Sequence, residues 1–146
     1  MRGAYMWQKS YSTTVKDLTP SQIWQLWSDI PNRPAWDEDT LWAKSNGPFQ
    51  NGTVITFRPK GWFKNVSMTI VDCVPLISFT DHTSFFLANL YGTHHMEKEN
   101  DGLKLTTTIK ITGPLAWLWR KIVGEEIVKT LPEQTAKIIE LARKTK

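Results

Sequence analysis

Residues 103–112 alternate without a break. Leu103, Leu105, Ile109 and Ile111 fall on one parity, and Lys104, Thr106, Thr108 and Lys110 on the other. A period of two sends successive side chains to opposite faces of a strand, so this segment is a half-buried antiparallel strand with one wet face. Gly113-Pro114 ends it, and the period changes at once. Leu115, Leu118, Ile122, Ile127, Leu131, Ile138, Ile139 and Ala142 recur at helical spacing, the pattern of one long amphipathic helix. A sheet that is apolar on one face must bury that face, and this helix is the one element long enough to cover it. Pro132 lies inside the pattern and predicts a kink in the preceding turn.

The chain before residue 103 supplies the rest of the sheet. Tyr11, Thr13 and Val15 alternate, so residues 7–16 read as a strand. Thr19-Pro20-Ser21-Gln22 forms a capping box with proline at the first helical position, and Ile23, Leu26, Trp27 and Ile30 follow at helical spacing. Pro31 and Pro34 end that helix and leave room for a second helical turn near Asn32–Trp36. Residues 41–45 and 53–58 read as a hairpin around Asn46-Gly47-Pro48 and Asn51-Gly52. Val66, Met68, Ile70 and Val74 line one face of the next strand. Ile77, Phe79, Asp81 and Phe85 share a face of the strand after it, and Asn100-Asp101-Gly102 turns residues 90–99 back into 103–112. The class is α+β: a curved antiparallel sheet of about seven strands wrapped around a long C-terminal helix. One or two short helices follow the first strand, and residues 1–146 make a single domain.

Composition narrows the function classes. One cysteine, Cys73, makes neither an internal disulfide nor a zinc site, and no metal or cofactor is expected. The net charge of +4 comes from scattered Lys and Arg with no basic run, so nucleic acid is not an expected partner. The longest nearly uncharged apolar stretch, Gly113–Trp119, is far short of a membrane span, and Met1–Lys9 has no apolar leader core. A cytoplasmic monomer or homodimer without stable membrane insertion is the expectation. Eight Trp, six Phe and three Tyr are many for a chain of 146 residues; they point to a wide core or an apolar cavity.

Several strings resemble the START-like, or SRPBCC, superfamily, in particular its polyketide cyclase/dehydrase branch. They are Val-Lys-Asp-Leu-Thr-Pro-Ser-Gln-Ile-Trp-Gln-Leu-Trp-Ser-Asp-Ile (15–30), Pro-Ala-Trp-Asp (34–37), Gly-Pro-Phe-Gln-Asn-Gly-Thr (47–53), Phe-Arg-Pro-Lys-Gly (57–61) and Thr-Gly-Pro-Leu-Ala (112–116). They run in the family's order along nearly the whole chain. The resemblance implies a helix-grip domain with a hydrophobic ligand cavity, and it implies no single activity.

Parity assigns the candidate site. Leu90, Gly92, His94 and Met96 share the more apolar face of their strand, so His94 points inward and His95 outward. Asp81 also points inward. The resemblance matches His94 and Glu97 to an H-x-x-E arrangement. An inward His and Asp make a candidate general-base pair for a cyclase or dehydratase; they equally make a polar pair that orients a ligand in an apolar wall. The leading expectation is non-catalytic binding of a small hydrophobic, lipid-like or aromatic ligand between sheet and helix. Its expected lining is Trp27, Trp36, Phe57, Met68, Phe79, Phe85, His94, Leu118 and Ile122. The alternative is a polyketide cyclase/dehydratase-like enzyme using His94 with Asp81, and a protein-interaction module is a third. Arg58 is a candidate anchor for a ligand carboxylate or a solvated strand end. Asp37 is a cavity-mouth candidate or a turn residue, and Trp24, Trp27, Trp36, Trp117 and Trp119 are expected near the cavity mouth.

Overall fold

The computed structural model describes residues 5–145. Seven strands form one sheet: β1 (Met6–Val15), β2 (Thr40–Ser45), β3 (Val54–Pro59), β4 (Val66–Val74), β5 (Ser78–Phe85), β6 (Ala88–Glu99) and β7 (Gly102–Thr112). Their spatial order is β1-β7-β6-β5-β4-β3-β2, and every neighbouring pair is antiparallel. Helix α1 (Pro20–Ser28) and a 3-10 turn (Ile30–Ala35) follow β1. Thr19 and Gln22 form the capping box reciprocally, with Pro20 at the first position of α1. After β7 come a short α2 (Ala116–Trp119), a π turn (Arg120–Gly124) and α3 (Glu125–Lys144).

β7 is interior to the sheet, between β1 and β6. Leu103, Leu105, Thr107, Ile109 and Ile111 are all buried, while their even-numbered neighbours are half-exposed. α3 covers this face with Leu131, Thr135, Ile138 and Ala142. It runs through Pro132 as α-helix, with the proline on its exposed side. The irregular turn lies earlier, at Arg120–Gly124, where the Glu125 amide reaches back to the Arg120 carbonyl. A π turn adds a residue and shifts the phase of the helix. The buried position becomes Gly124, and Ile122, expected inward from spacing, is exposed. Gly124 lets the helix close on Trp7: a β-carbon there would lie 2.6 Å from Trp7 Cζ3.

A second irregularity corrects the inner face of β4. Ile70 pairs with Asp81 but Asp72 with Thr80, so one extra residue bulges out. The bulge inverts parity. Cys73, not Val74, packs against the core, with its thiol 3.9 Å from the Phe49 carbonyl. Val74 and Ile77 are exposed.

The buried apolar residues separate into two clusters. The larger joins α1, β2 to β7 and the end of α3 through Ile23, Trp27, Ile55, Phe79, Leu105 and Ile138. The smaller joins β6, β7 and the start of the helical segment through Leu90, Ile109, Ile111, Ala116 and Leu131. Leu105→Ala should lower unfolding stability by about 2–5 kcal/mol, whereas Lys104→Ala on the opposite face should stay within about 0.5 kcal/mol. Urea unfolding of the two variants checks the facing of the strand.

Candidate functional site

A polar band crosses the sheet between the two apolar clusters. Phe79, His94 and Thr107 lie in one cross-strand row of β5, β6 and β7, and Asp81, Gly92 and Ile109 in the next. Asp81, Thr83, His94 and Thr107 are all buried. Gly92 makes the room: a β-carbon at that position would stand 3.0 Å from Asp81 Oδ1. Its amide donates to the Asp81 carboxylate. His94 Nδ1 lies 3.4 Å from Thr107 Oγ1.

Strand parity therefore places His94 and Asp81 inward, as the sequence analysis expects, but no hydrogen bond joins them. They sit diagonally across β5 and β6, each satisfied by a different neighbour. Burial pushes the Asp81 carboxyl up from 3.8 to about 6, against the pull of the Arg33 guanidinium. Burial, reinforced by Arg33, pushes the His94 imidazole down from 6.5 to about 3. His94 is a neutral imidazole at neutral pH.

The band is walled by aromatic rings. Phe79 stacks on His94 with centroids 4.5 Å apart, and Trp27 lies 5.5 Å from both rings. Trp24 and Phe49 complete the nest, with Phe49 4.9 Å from Phe79 and 5.7 Å from Trp24. Phe49 comes from the loop between β2 and β3, which sequence reasoning passed over as a turn. The Trp27 indole N–H is buried in this nest with no hydrogen-bond partner.

A second group of polar residues ties the 3-10 turn to α3. Asp37 accepts from Arg33 Nε at 3.2 Å, Thr40 Oγ1 at 2.8 Å, the Asp39 amide at 3.1 Å and Gln134 Nε2 at 3.3 Å. Arg33 lies over the Trp36 ring at 4.9 Å. Asp37 is thus a buried structural knot, and Arg33 and Gln134 are half-buried polar residues that spacing alone did not reveal.

Of the expected lining, Trp27, Trp36, Met68, Phe79 and His94 are buried, Phe57, Phe85 and Leu118 are half-buried, and Ile122 is exposed. Trp27 and Trp36 are core residues rather than mouth residues, and the Trp36 indole donates to the Leu26 carbonyl. Phe85 stacks on Trp119 at 4.4 Å, in the smaller cluster. Two clefts lie elsewhere. One of about 240 Å³ runs between Trp36–Asp39 and α3. The other, of about 570 Å³, lies beside Val15 and the end of α3. Trp36 alone of the nine borders either cleft. Arg58 reaches Asn65 Oδ1 at 3.2 Å on the surface. Among the described residues no group of three or more His, Cys, Asp or Glu is placed to hold a metal ion.

Asp81 and His94 act on stability in opposite senses. Asp81 keeps its proton to higher pH in the folded state, so its neutral form stabilises the fold at low pH. That contribution is lost as pH rises from 3.8 through about 6, by about 3 kcal/mol. His94 refuses a proton that the unfolded chain accepts, so stability is lost as pH falls from 6.5 towards about 3. Asp81→Asn should flatten the loss at high pH and raise stability above pH 7. His94→Gln should flatten the loss on the acid side. Urea titrations across pH check both slopes.

No family model and no curated protein sequence matches the chain. Solved structures do. The aromatase/cyclase ZhuI from Streptomyces sp. R1128 superposes with a TM-score of 0.73 at 13% identity, covering 97% of both chains. Norcoclaurine synthase from Thalictrum flavum, solved with dopamine and hydroxybenzaldehyde, gives 0.69 at 14% identity, covering 99% of this chain and 92% of that one. The di-domain aromatase/cyclase StfQ of the steffimycin biosynthetic pathway gives 0.73 at 12% identity over 97% of this chain, which spans 50% of StfQ. At these identities the likeness is one of architecture, a curved antiparallel sheet closed by a C-terminal helix. The chain therefore has a helix-grip fold like that of these solved structures.

Proposed function

We propose that this protein binds a small apolar, ring-bearing molecule between the sheet and the C-terminal helix. The polar band orients the ligand, and Phe49 occupies its place when it is absent. The observation that carries this reading is the band itself. A core selected for stability alone gains nothing from a neutral buried histidine, a carboxyl held near pH 6 and an indole N–H without an acceptor. Of the three, the Trp27 N–H has no partner inside the nest of rings, and His94 stacks in the same nest. Trp27, Met68, Phe79 and His94 form the wall, and a ring ligand would stack where Phe49 now meets Phe79 and Trp24. Trp27 N–H is a donor for a carbonyl or hydroxyl oxygen on that ligand. The binding needs no cofactor and no metal.

A cyclase- or dehydratase-like activity is the second reading, and one observation favours it: a carboxyl that titrates at about 6 suits general acid–base work near neutral pH. Since no hydrogen bond joins His94 to Asp81, that activity would rest on Asp81 as the proton-transferring group, with His94 as a neutral hydrogen-bonding partner.

Titration with an environment-sensitive apolar dye should show one site per chain at micromolar affinity, about −8 kcal/mol, with a change in Trp fluorescence. Phe49→Ala should tighten uptake about tenfold while lowering stability by about 2 kcal/mol, and Met68→Trp should weaken uptake with the fold intact. No uptake by either the native protein or Phe49→Ala contradicts the reading. Asp81→Asn separates the two functions: a binder keeps affinity within a modest factor, whereas an enzyme that needs the carboxyl for proton transfer loses about 10²–10⁴ in rate.

A further inference from the structure

The exposed aromatic residues of the described chain gather at one end of the molecule. They are Tyr5, Trp42, Phe63, Phe86 and Trp117. Strand register brings them together: β1 begins opposite the end of β7, Thr40 at the start of β2 pairs with Pro59 at the end of β3, and the β5–β6 turn lies beside both. The helical start joins the same end, because the Leu115 amide donates to the Leu87 carbonyl and the Trp119 indole to the Phe86 carbonyl at 2.9 Å. Exposed aliphatics at the other end, Leu76 and Ile77, are accompanied by no exposed aromatic among the described residues.

Two turns at this end carry apolar residues where turn chemistry would favour polar ones. The β5–β6 connection is Phe86-Leu87, with Phe86 71% and Leu87 51% exposed. Leu87 sits at φ 54, a left-handed conformation that Gly or Asn adopts more readily. The β3–β4 turn is Lys60-Gly61-Trp62-Phe63-Lys64-Asn65, with Phe63 74% exposed. Cations bracket the rings: Lys64 Nζ is 5.5 Å from the Phe63 ring, and Lys121 Nζ is 5.9 Å from Trp117. Lys60 and Arg120 stand nearby, and the facing carboxylates are Glu38, Asp39 and Glu125, of which Glu125 pairs with Arg120. Aromatic and aliphatic tips framed by lysines match an interface between hydrocarbon and anionic headgroups: rings enter the boundary layer, and ammonium groups meet the phosphate level. Among the described residues no helix is long and apolar enough to cross a membrane.

We propose that this end of the molecule, with Phe63 and Phe86-Leu87 as its apolar tips and Lys60, Lys64 and Lys121 as its charges, docks reversibly on an anionic lipid bilayer. The surface is separate from the interior site and stands without it. Co-sedimentation with vesicles tests it, using phosphatidylcholine alone and phosphatidylcholine mixed with phosphatidylserine. The native protein should bind the mixed vesicles, bind the neutral ones more weakly, and release as salt rises. Leu87→Asn relieves the left-handed strain, so it should keep or gain thermal stability while losing binding about tenfold, as should Phe63→Ser. Lys64→Glu should lose at least about fivefold. The interior variant Met68→Trp should bind vesicles like the native chain, which keeps a failure here distinct from a failure of the ligand reading. Absence of binding to the mixed vesicles overturns the proposal. So does native-like binding by both Leu87→Asn and Phe63→Ser, or equal binding to neutral vesicles. Self-association without vesicle binding, abolished by the same substitutions, would assign the patch to a second copy of the chain instead.

Discussion

The interior is organised by a carboxylate facing a glycine. β6 offers no side chain at position 92, and the Asp81 carboxyl takes that space, accepting the Gly92 amide. With the acid and His94 in mid-sheet, apolar packing cannot run unbroken from one end to the other. It divides into a larger cluster against α1 and the end of α3, and a smaller one against α2 and the start of α3. The long helix is what holds both, through Ile138 and Ala142 on one side and Leu131 on the other. A residue larger than glycine at 92 would displace the carboxylate or the strand, since a buried charge has no cheap alternative site.

The two buried aspartates show how environment separates structure from readiness. Asp37 receives donors from a guanidinium, a hydroxyl, an amide nitrogen of the main chain and a glutamine. It ties three elements together and has little capacity left. Asp81 is buried against Gly92, with the Gly92 amide as its hydrogen-bond donor, and is pushed towards its neutral form. The first arrangement stabilises; the second leaves a group able to give or take a proton, or to meet a polar atom of a ligand.

Much of this was legible in the chain because it is local. The alternation of 103–112, the Thr19–Gln22 capping box and the parity of β5 and β6 placed the sheet, the first helix and the inward His94 and Asp81. The departures are non-local. The extra residue in β4 and the π turn at Arg120–Gly124 each shift phase by one, so Val74 and Ile122 left the core, and no composition rule marks either. Trp27 and Trp36 entered the core, instead of standing at the mouth, because α1 and the 3-10 turn press onto the sheet rather than frame an opening. Thr107 became buried and Gln134 half-buried through long-range contact, and Arg33 half-buried against its sequence neighbours Trp36 and Asp37. Gly92 was a signal that went unused: an isolated glycine inside an apolar strand marks a close approach, and the approaching group is Asp81.

The nuclear magnetic resonance signals of the indole N–H groups test the central claim most directly, because the eight tryptophans report from different parts of the molecule. In ¹⁵N-labelled protein, adding an apolar ring compound that carries a carbonyl or hydroxyl oxygen should move the Trp27 signal downfield as its unpartnered N–H gains an acceptor. Trp24 should shift by ring current alone, and Trp62 and Trp117 should stay unchanged. Perturbation confined to the half-buried Trp62 and the exposed Trp117, with Trp27 silent, would show that ligands meet only the surface and would contradict an interior site.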